Sequence, residues 1–302
     1  MLSPVPPLAL PEPDRATFAD LGRTTLRLWE WGDPAHPTVV LVHGGWDHGR
    51  MWDGIAPAVA GRGLHAVAVD LRGHGDSGRL GDSGACWLAW NLDLATLITR
   101  LGPPAGLIGH SMGGGQVLSV ASAFPELVRW VLNLDGLGPG PEMMIVEDHA
   151  AHATQWLAEA EKVWSQPQRE YASVEDLAQR RTQINVRLPY EWALHLAEHG
   201  SRRGPEGGWV WKSDPVMRIG GPGLLGEETL RAGYREIRCP VAVLIGEEPD
   251  TWGDLPLHIA NERVGCMPKG TLTTVAGSGH YLHIERPDAV LAALDELIAR
   301  AP

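Results

Sequence analysis

Ser111 stands between two glycines in the stretch LIGHSMGGG, which covers residues 107–115. The apolar residues before this serine predict a buried strand, and the pattern that begins at Gly113 predicts a helix. A serine in this context has the GxSxG pattern of a nucleophile elbow, whose sharp turn needs the flanking glycines and exposes the hydroxyl group. We therefore expect Ser111 to attack a carbonyl carbon.

A nucleophilic serine also needs N–H donors that stabilise the oxyanion formed on the substrate. The stretch VHGGW ends another apolar run with a glycine pair, and the helix after the elbow begins near Met112. We expect the backbone N–H groups of Gly45 and Met112 to form this oxyanion hole, with the N–H of Trp46 as the alternative if the loop is shifted by one residue. Trp46 and His110 are the side chains that we expect to contact the substrate.

The serine hydroxyl is a weak nucleophile at neutral pH and therefore needs a general base. The stretch VAGSGH places His280 directly after the last apolar run and its exit glycines. His283 follows three residues later, but no cysteine pair or carboxylate cluster accompanies this His-x-x-His pair to indicate a metal site. We predict His280, rather than His283, as the base.

A carboxylate must orient this base and stabilise its protonated form. The stretch GEEPD, which follows the apolar run 241–245, offers Glu247, Glu248 and Asp250. An acid at this place gives the chain order serine, acid, histidine. Among these three we predict Asp250. Asp135 is the runner-up because it ends the apolar run 130–134, which also points to the carboxyl edge of the expected sheet.

Short apolar runs bounded by glycine alternate with helical stretches along most of the chain, which predicts a parallel sheet covered by helices. The runs are residues 39–42, 66–69, 107–108, 130–134, 241–245 and 271–275. The helical stretches are residues 87–101, 113–124, 227–237 and 287–301. Residues 17–20 and 25–31 predict an antiparallel hairpin at the edge. We therefore expect an α/β protein with a mostly parallel, eight-stranded sheet.

The alternation stops between residues 138 and 221, where a helix-rich stretch contains five tryptophans. We predict an inserted helical cap over residues 138–221 and a core domain formed by residues 1–137 and 222–302. His195 and His199 lie four residues apart on a predicted cap helix, but the HExxH motif is missing. We interpret them as a solvated or packing pair and predict neither a metal nor a cofactor.

The composition argues against several classes of partner. A net charge of −12 over 302 residues would be repelled by nucleic acid and by an anionic membrane surface. No run reaches the roughly 20 apolar residues of a transmembrane helix, and the first residues lack the pattern of a signal peptide. Three widely spaced cysteines, Cys86, Cys239 and Cys266, indicate core or incidental thiols. We expect a soluble, cytoplasmic protein that acts on a small molecule.

Together with the elbow, three blocks of the sequence resemble the α/β-hydrolase superfamily, in the branch of capped esterases, lactonases, C–C hydrolases and serine hydrolase-like proteins. The blocks are LVHGG at residues 41–45, DLRGHGDSG at 70–78 and GHYLHIERP at 279–287. The resemblance implies the α/β-hydrolase fold outside the cap, a serine-acid-histidine triad and a structural turn at 70–78. In that family the acid more commonly stands where Pro249 is, one residue before Asp250.

From these residues we expect an enzyme that cleaves a carboxylic ester or lactone of a small, fairly apolar substrate through an acyl-enzyme on Ser111. The alternatives are a C–C bond hydrolase or an acyltransferase with the same triad, and a small-ligand sensor on the same fold. A serine at the elbow argues against the aspartate-based epoxide hydrolases and haloalkane dehalogenases. The oligomeric state stays open at this point.

Overall fold

The structure is a computed structural model, and it describes residues 8–81, 86–144, 148–219, 226–252 and 255–301. Its strands are β1 (Arg15–Asp20), β2 (Thr25–Trp31), β3 (Thr38–Val42), β4 (His65–Val69), β5 (Ala105–His110), β6 (Val128–Leu134), β7 (Ser201–Arg203), β8 (Trp209–Trp211), β9 (Val241–Gly246) and β10 (Gly270–Val275). The strands predicted from the apolar runs are confirmed within about two residues at each end.

The helices lie between these strands, except for the last two, which follow β10. They are α1 (Ala56–Ala60), α2 (Trp87–Leu101), α3 (Met112–Ala123), α4 (His149–Ser165), α5 (Val174–Ile184), α6 (Tyr190–Gly200), α7 (Glu227–Arg235), α8 (Leu257–Gly265), α9 (Leu282–Glu285) and α10 (Pro287–Arg300). Short 3₁₀ turns lie at Gly49–Trp52, Pro125–Leu127, Pro141–Met144 and Pro215–Ile219. Helix α2 has the predicted bounds, because its apolar residues repeat on one face over its whole length.

Eight strands form one sheet in the order β1-β2-β4-β3-β5-β6-β9-β10, and β7 and β8 form a separate hairpin. The pairs β1–β2 and β2–β4 are antiparallel, whereas all pairs from β4 to β10 in this order are parallel. The expected fold class, a mostly parallel eight-stranded sheet with an edge hairpin, is therefore confirmed.

The central strands are buried on both faces, as uninterrupted apolar runs predict. Successive side chains of a strand point to opposite faces, so β3 and β4 each contribute to two cores. One core contains Val40, Val42, Val67 and Val69 with side chains of α2 and α3, and the other contains Val39, Leu41, Ala66 and Ala68 with side chains of α1 and α10. This packing holds the strands in a rigid frame.

The segment between β6 and β9 adds no strand to the main sheet in its described part and contains α4, α5, α6, the β7–β8 hairpin and α7. Helices α4 and α5 are capped at their N-termini by Asp148 and Ser173, whose side chains accept hydrogen bonds from backbone N–H groups of the first turn. The sequence did not predict β7 and β8, because strands of three residues are too short to show an alternating pattern. The domain boundaries of the cap remain a prediction.

The six parallel strands β3, β4, β5, β6, β9 and β10 all end at the same edge of the sheet. The residues that follow these ends include the glycine pair of the VHGGW stretch, Ser111, Asp135, Asp250 and His280. Ligands of open α/β sheets bind at this edge. The fold therefore collects every predicted catalytic residue in one place.

Candidate active site

Ser111 lies in the turn between β5 and α3 and has an unusual backbone conformation, with φ 52° and ψ −119°. Its N–H donates to the Leu134 carbonyl at 2.9 Å, and its carbonyl accepts from the Gly115 N–H at 3.1 Å. Such a conformation costs free energy in a residue with a side chain and persists only where the surroundings enforce it. The two hydrogen bonds and the flanking elements enforce it here.

The glycines on both sides of the serine are needed for close packing. A methyl group at Gly109 would lie 2.5 Å from the Gly113 carbonyl oxygen, and one at Gly113 would overlap the carbonyl oxygens of Val42 and His43. The first turn of α3 is therefore pressed against the ends of β3 and β5. This packing explains physically why the GxSxG spacing predicted the elbow.

Backbone strain is concentrated at this edge of the sheet. Among the residues that the structure describes, the non-glycine residues with positive φ are Trp46 at 60°, Ser111 at 52° and Asp135 at 50°. They follow three neighbouring strands, β3, β5 and β6. Strained backbone of this kind clusters at functional sites, where the surrounding structure fixes side chains in one orientation.

The imidazole of His280 pairs with Asp135. His280 Nδ1 lies 2.6 Å from Asp135 Oδ2, and the exposed fractions of the two side chains are only 5% and 8%. The backbone of Asp135 is fixed by β9, because the Asp135 N–H donates to the Leu244 carbonyl at 2.8 Å. A buried carboxylate at Nδ1 leaves Nε2 as the imidazole nitrogen able to act on a nucleophile.

Asp250 contacts the same histidine at a different place, which corrects the expectation that this carboxylate orients the imidazole. Asp250 Oδ2 accepts from the backbone N–H of His280 at 3.0 Å, and Oδ1 accepts from the Thr251 N–H at 2.6 Å. Both oxygens therefore bind backbone groups. The runner-up, Asp135, occupies the position at the ring because β6 is the strand next to β5 and ends beside the elbow.

The glycine pair after β3 lies against the elbow. A methyl group at Gly44 would lie 3.2 Å from Ser111 Cβ, and one at Gly45 would lie 3.9 Å from Met112 Sδ. Met112 is the first residue of α3, where backbone N–H groups lack intrahelical partners. The two residues predicted as oxyanion donors are therefore neighbours across the site.

The two other histidines of the site region are buried behind it. His110 is 1% exposed, and its Nε2 lies 2.9 Å from the His280 carbonyl oxygen, so the expectation that it contacts the substrate does not match its position. His283 is 2% exposed and packs against the rings of His110 and Trp52. Burial and the neighbouring His280 lower the pKa of His283 to about 3. The buried rings of His110 and His283 therefore pack beneath the loop that carries His280, on the side away from solvent.

A buried ion pair that the sequence did not reveal lies beside the His280 loop. Arg181 of α5 donates through Nη2 to Asp47 Oδ1, and the same nitrogen lies 3.2 Å from the Tyr281 hydroxyl oxygen. The Arg181 and Asp47 side chains are 8% and 1% exposed. Burial raises the pKa of Asp47, while the charge of Arg181 opposes this rise. An arginine on an amphipathic helix gave no signal that its guanidinium would point inward.

Two tryptophans form an exposed apolar surface at the same edge. Trp46 is 43% exposed and Trp252 is 38% exposed, and their ring centroids lie 5.6 Å apart. The Trp252 indole N–H donates to Asn185 Oδ1 at 2.6 Å, which fixes the ring. The sequence predicted Trp46 as a pocket residue but gave no indication for Trp252, which lies two residues after Asp250.

His195 and His199 lie beside Asp53 in a cluster of three possible metal ligands. Together with Asp53 they place possible ligand atoms within 4.8 Å of one another. Arg50, however, donates through Nε to Asp53 Oδ2 at 2.6 Å, and its Nη1 lies 3.5 Å from His199 Nδ1. The guanidinium therefore already supplies the positive charge that a buried carboxylate requires.

Within the part of the chain that the structure describes, no helix combines the length and the apolar character needed to cross a membrane.

The profile of the alpha/beta hydrolase family matches residues 39–293. This region contains the elbow, the glycine pair after β3, both candidate acids and His280.

Known proteins resemble the chain over most of this region. A probable serine hydrolase from Drosophila melanogaster is 26% identical over 275 residues, which are 86% of this chain and 80% of that protein. Esterase Rv0045c from Mycobacterium tuberculosis is 27% identical over 191 residues, or 63% of this chain and 60% of the esterase. The solved thioesterase domain from the curacin biosynthetic pathway superposes with a TM-score of 0.81 at 25% identity, covering 94% of this chain and 99% of that domain. The chain therefore belongs to the alpha/beta hydrolase family and is similar to its serine hydrolases.

Proposed function

We propose that this protein hydrolyses a carboxylic ester or lactone of a small, fairly apolar compound through an acyl-enzyme on Ser111. The observation that carries the proposal is the buried hydrogen bond between His280 Nδ1 and Asp135 Oδ2 at the edge where the strained Ser111 turn lies. A serine, an oriented imidazole and a buried carboxylate are the parts that acyl transfer to water requires. None of these parts depends on a cofactor.

The first step is attack of Ser111 Oγ on the carbonyl carbon of the substrate. His280 Nε2 takes the hydroxyl proton as the C–O bond forms, and it returns this proton to the leaving alcohol when the tetrahedral intermediate collapses. Asp135 accepts from the Nδ1–H group throughout, so that the ring keeps the correct tautomer and its protonated form is stabilised. Water then repeats the sequence on the acyl-enzyme and releases the acid.

The negative charge of the tetrahedral intermediate is stabilised by the backbone N–H groups of Gly45 and Met112. Their loops touch across the site, and Met112 begins a helix of 12 residues whose dipole favours negative charge at this end. Loss of one such donor typically costs about 10²- to 10³-fold in rate. Both donors belong to the backbone, so their positions depend on the loop conformations rather than on side-chain identity.

The exposed Trp46 and Trp252 rings favour a substrate with an apolar group. Aromatic walls bind aliphatic and aromatic substituents by excluding water from both surfaces. The net charge of −12 disfavours strongly anionic substrates. Two of the similar proteins are an esterase and a thioesterase domain, enzymes that hydrolyse acyl compounds, which supports this assignment of the reaction class.

The test is steady-state hydrolysis of a panel of p-nitrophenyl esters and lactones by the wild-type protein and by Ser111→Ala. We expect an initial burst with the wild type and a loss of kcat of about 10³-fold or more in the variant, because the covalent route is removed. A fluorophosphonate probe should label the wild type and not Ser111→Ala. Labelling of the wild type without turnover of any ester or lactone would contradict the proposal and favour a ligand sensor.

A further inference from the structure

Arg181 is a residue of helix α5 whose guanidinium reaches into the catalytic edge of the sheet. It is 8% exposed and its Nη2 contacts two partners, Asp47 Oδ1 and the Tyr281 hydroxyl. Asp47 lies in the loop after β3, and Tyr281 lies in the loop after β10. One side chain from the segment between β6 and β9 therefore joins both loops.

We propose that Arg181 is a positioning residue. Its guanidinium connects helix α5 to the loop after β3, which carries the oxyanion donor Gly45, and to the loop after β10, which carries the general base. It also neutralises Asp47 beside His280. This inference rests on the function proposed above and names a group that the triad alone does not include. Arg181 does not touch the reacting atoms in this proposal. It acts through the two loops that it connects.

The path from Arg181 to the oxyanion loop is short. Asp47 directly follows Trp46, whose strained φ of 60° fixes the course of this loop, and the Asp47 N–H donates to the Gly44 carbonyl at 3.3 Å. Gly44 in turn lies against Ser111. A shift of the Asp47 carboxylate would therefore move the glycine pair relative to the nucleophile.

The path to the base is equally short, because Tyr281 is the residue after His280. The hydroxyl of Tyr281 is held by Arg181, and its ring packs against the rings of His280 and His110. Tyr281 is 4% exposed, so its side chain has little freedom once the guanidinium is in place. Arg181 thus fixes the loop on which the imidazole is carried.

The ion pair also sets the charge around His280. Burial raises the pKa of Asp47, and the charge of His280, like that of Arg181, opposes this rise, so His280 and Asp47 interact electrostatically. In the part of the chain that the structure describes, His280 is also faced by Asp135 at its Nδ1, by Asp250 at its N–H, and by the buried rings of His110, Tyr281 and His283. An unpaired Asp47 would therefore favour the protonated imidazole, and an unpaired Arg181 would disfavour it.

The experiment compares Arg181→Met, Arg181→Lys, Asp47→Asn and the double variant Arg181→Met with Asp47→Asn. Rates are measured with an activated p-nitrophenyl ester from pH 5 to pH 9 and are normalised to the burst amplitude, which counts correctly folded active sites. We expect kcat of Arg181→Met to fall about tenfold or more, a 1 Å displacement of catalytic groups being enough for such a loss. KM should change less than about threefold, and Arg181→Lys should recover part of kcat.

The pH profile separates positioning from a merely structural role. In Asp47→Asn the unpaired guanidinium should disfavour the protonated imidazole, so the acidic limb of kcat/KM should move to lower pH. In the double variant no unpaired charge remains, so this limb should return towards its wild-type position. The value of kcat should nevertheless stay low there, because the bridge between the loops is missing.

A matched control is Lys212→Met, which removes another ion pair between the same two parts of the chain. Lys212 Nζ lies 2.7 Å from Asp76 Oδ1, and Asp76 belongs to the turn after β4 rather than to the loops after β3 and β10. If Lys212→Met lowers kcat as much as Arg181→Met does, or if Arg181→Met keeps the wild-type kcat, the inference is wrong. Failure of the proposed function would instead appear as a wild-type protein that does not turn over the ester.

Discussion

Two loops that each carry an aspartate contact His280, and the two carboxylates bind different groups of this residue. The loop after β6 places the Asp135 carboxylate at the imidazole Nδ1, 2.6 Å away. The loop after β9 places the Asp250 carboxylate at the backbone N–H of the same residue, 3.0 Å away. One acid thus orients the ring, and the other fixes the main chain that carries it.

The difference follows from the local backbone. Asp135 is the first residue after β6, has a φ of 50° and is followed by Gly136, whose N–H is held by Asn133 Oδ1 at 2.9 Å. This tight turn points the carboxylate towards the neighbouring loops. Asp250 comes four residues after the end of β9, so its loop is long enough to lie along residues 278–280 and to bind their backbone. The strained backbone conformation is therefore found at Asp135, the acid that we assign to catalysis.

The largest effect that separates the two acids is expected for Asp135→Asn. The amide can donate to Nδ1 and thereby stabilise the tautomer that carries its proton on Nε2, which cannot accept the proton of Ser111. We expect kcat to fall about 10³- to 10⁴-fold with little change in the fold. The measurement is ester hydrolysis with circular dichroism as the folding control. A larger loss in Asp250→Asn than in Asp135→Asn would reverse the roles assigned to the two loops.

An intermediate effect is expected for Gly136→Ala, which tests how tightly the Asp135 turn is packed. A methyl group at this position would lie 2.5 Å from the Ser111 carbonyl oxygen and 2.6 Å from Gly114 Cα. Because backbone must move to admit it, we expect a loss of unfolding free energy of about 1–3 kcal/mol and a clear fall in kcat. Chemical denaturation and ester hydrolysis measure the two quantities.

The control for this substitution is Gly265→Ala at the end of α8, where nothing lies within 4 Å of the added methyl group. This variant should keep the wild-type activity and be equally or slightly more stable. If Gly136→Ala behaves like Gly265→Ala, the turn after β6 is looser than the structure indicates. The link between strain and the orientation of Asp135 would then lose its support.

The sequence predicts well the strands, turns and helices that carry the site residues, because these elements depend on local sequence patterns. The apolar run before Ser111 and the glycines around it are sufficient to place a strand, a turn and a helix. The order of strands places the loops at one edge by a general rule of parallel sheets. His280 was predicted as the base for the same reason, since it directly follows the last run and its glycines.

The choice between Asp135 and Asp250 could not be made in this way. Both residues follow a strand of the same sheet, and both contact His280. Which carboxylate reaches the ring depends on the φ of one residue and on loop length, and these are consequences of tertiary packing. The same holds for Arg181, because the polarity of an arginine predicts exposure unless its buried partner, here Asp47, is already known.

The smallest effect in this comparison is expected for Asp250→Asn. The asparagine keeps one acceptor oxygen, and its loop is also held by the Thr251 hydroxyl, which donates to the Ile184 carbonyl at 2.7 Å. We expect kcat to fall less than about tenfold and the unfolding free energy to fall by about 1 kcal/mol, as for the loss of a single hydrogen bond. A chain-length series of p-nitrophenyl esters sharpens the test, because displacement of the neighbouring Trp252 should weaken turnover of long acyl groups more than that of acetate. Equal losses for all chain lengths would indicate that Asp250 acts on the base alone.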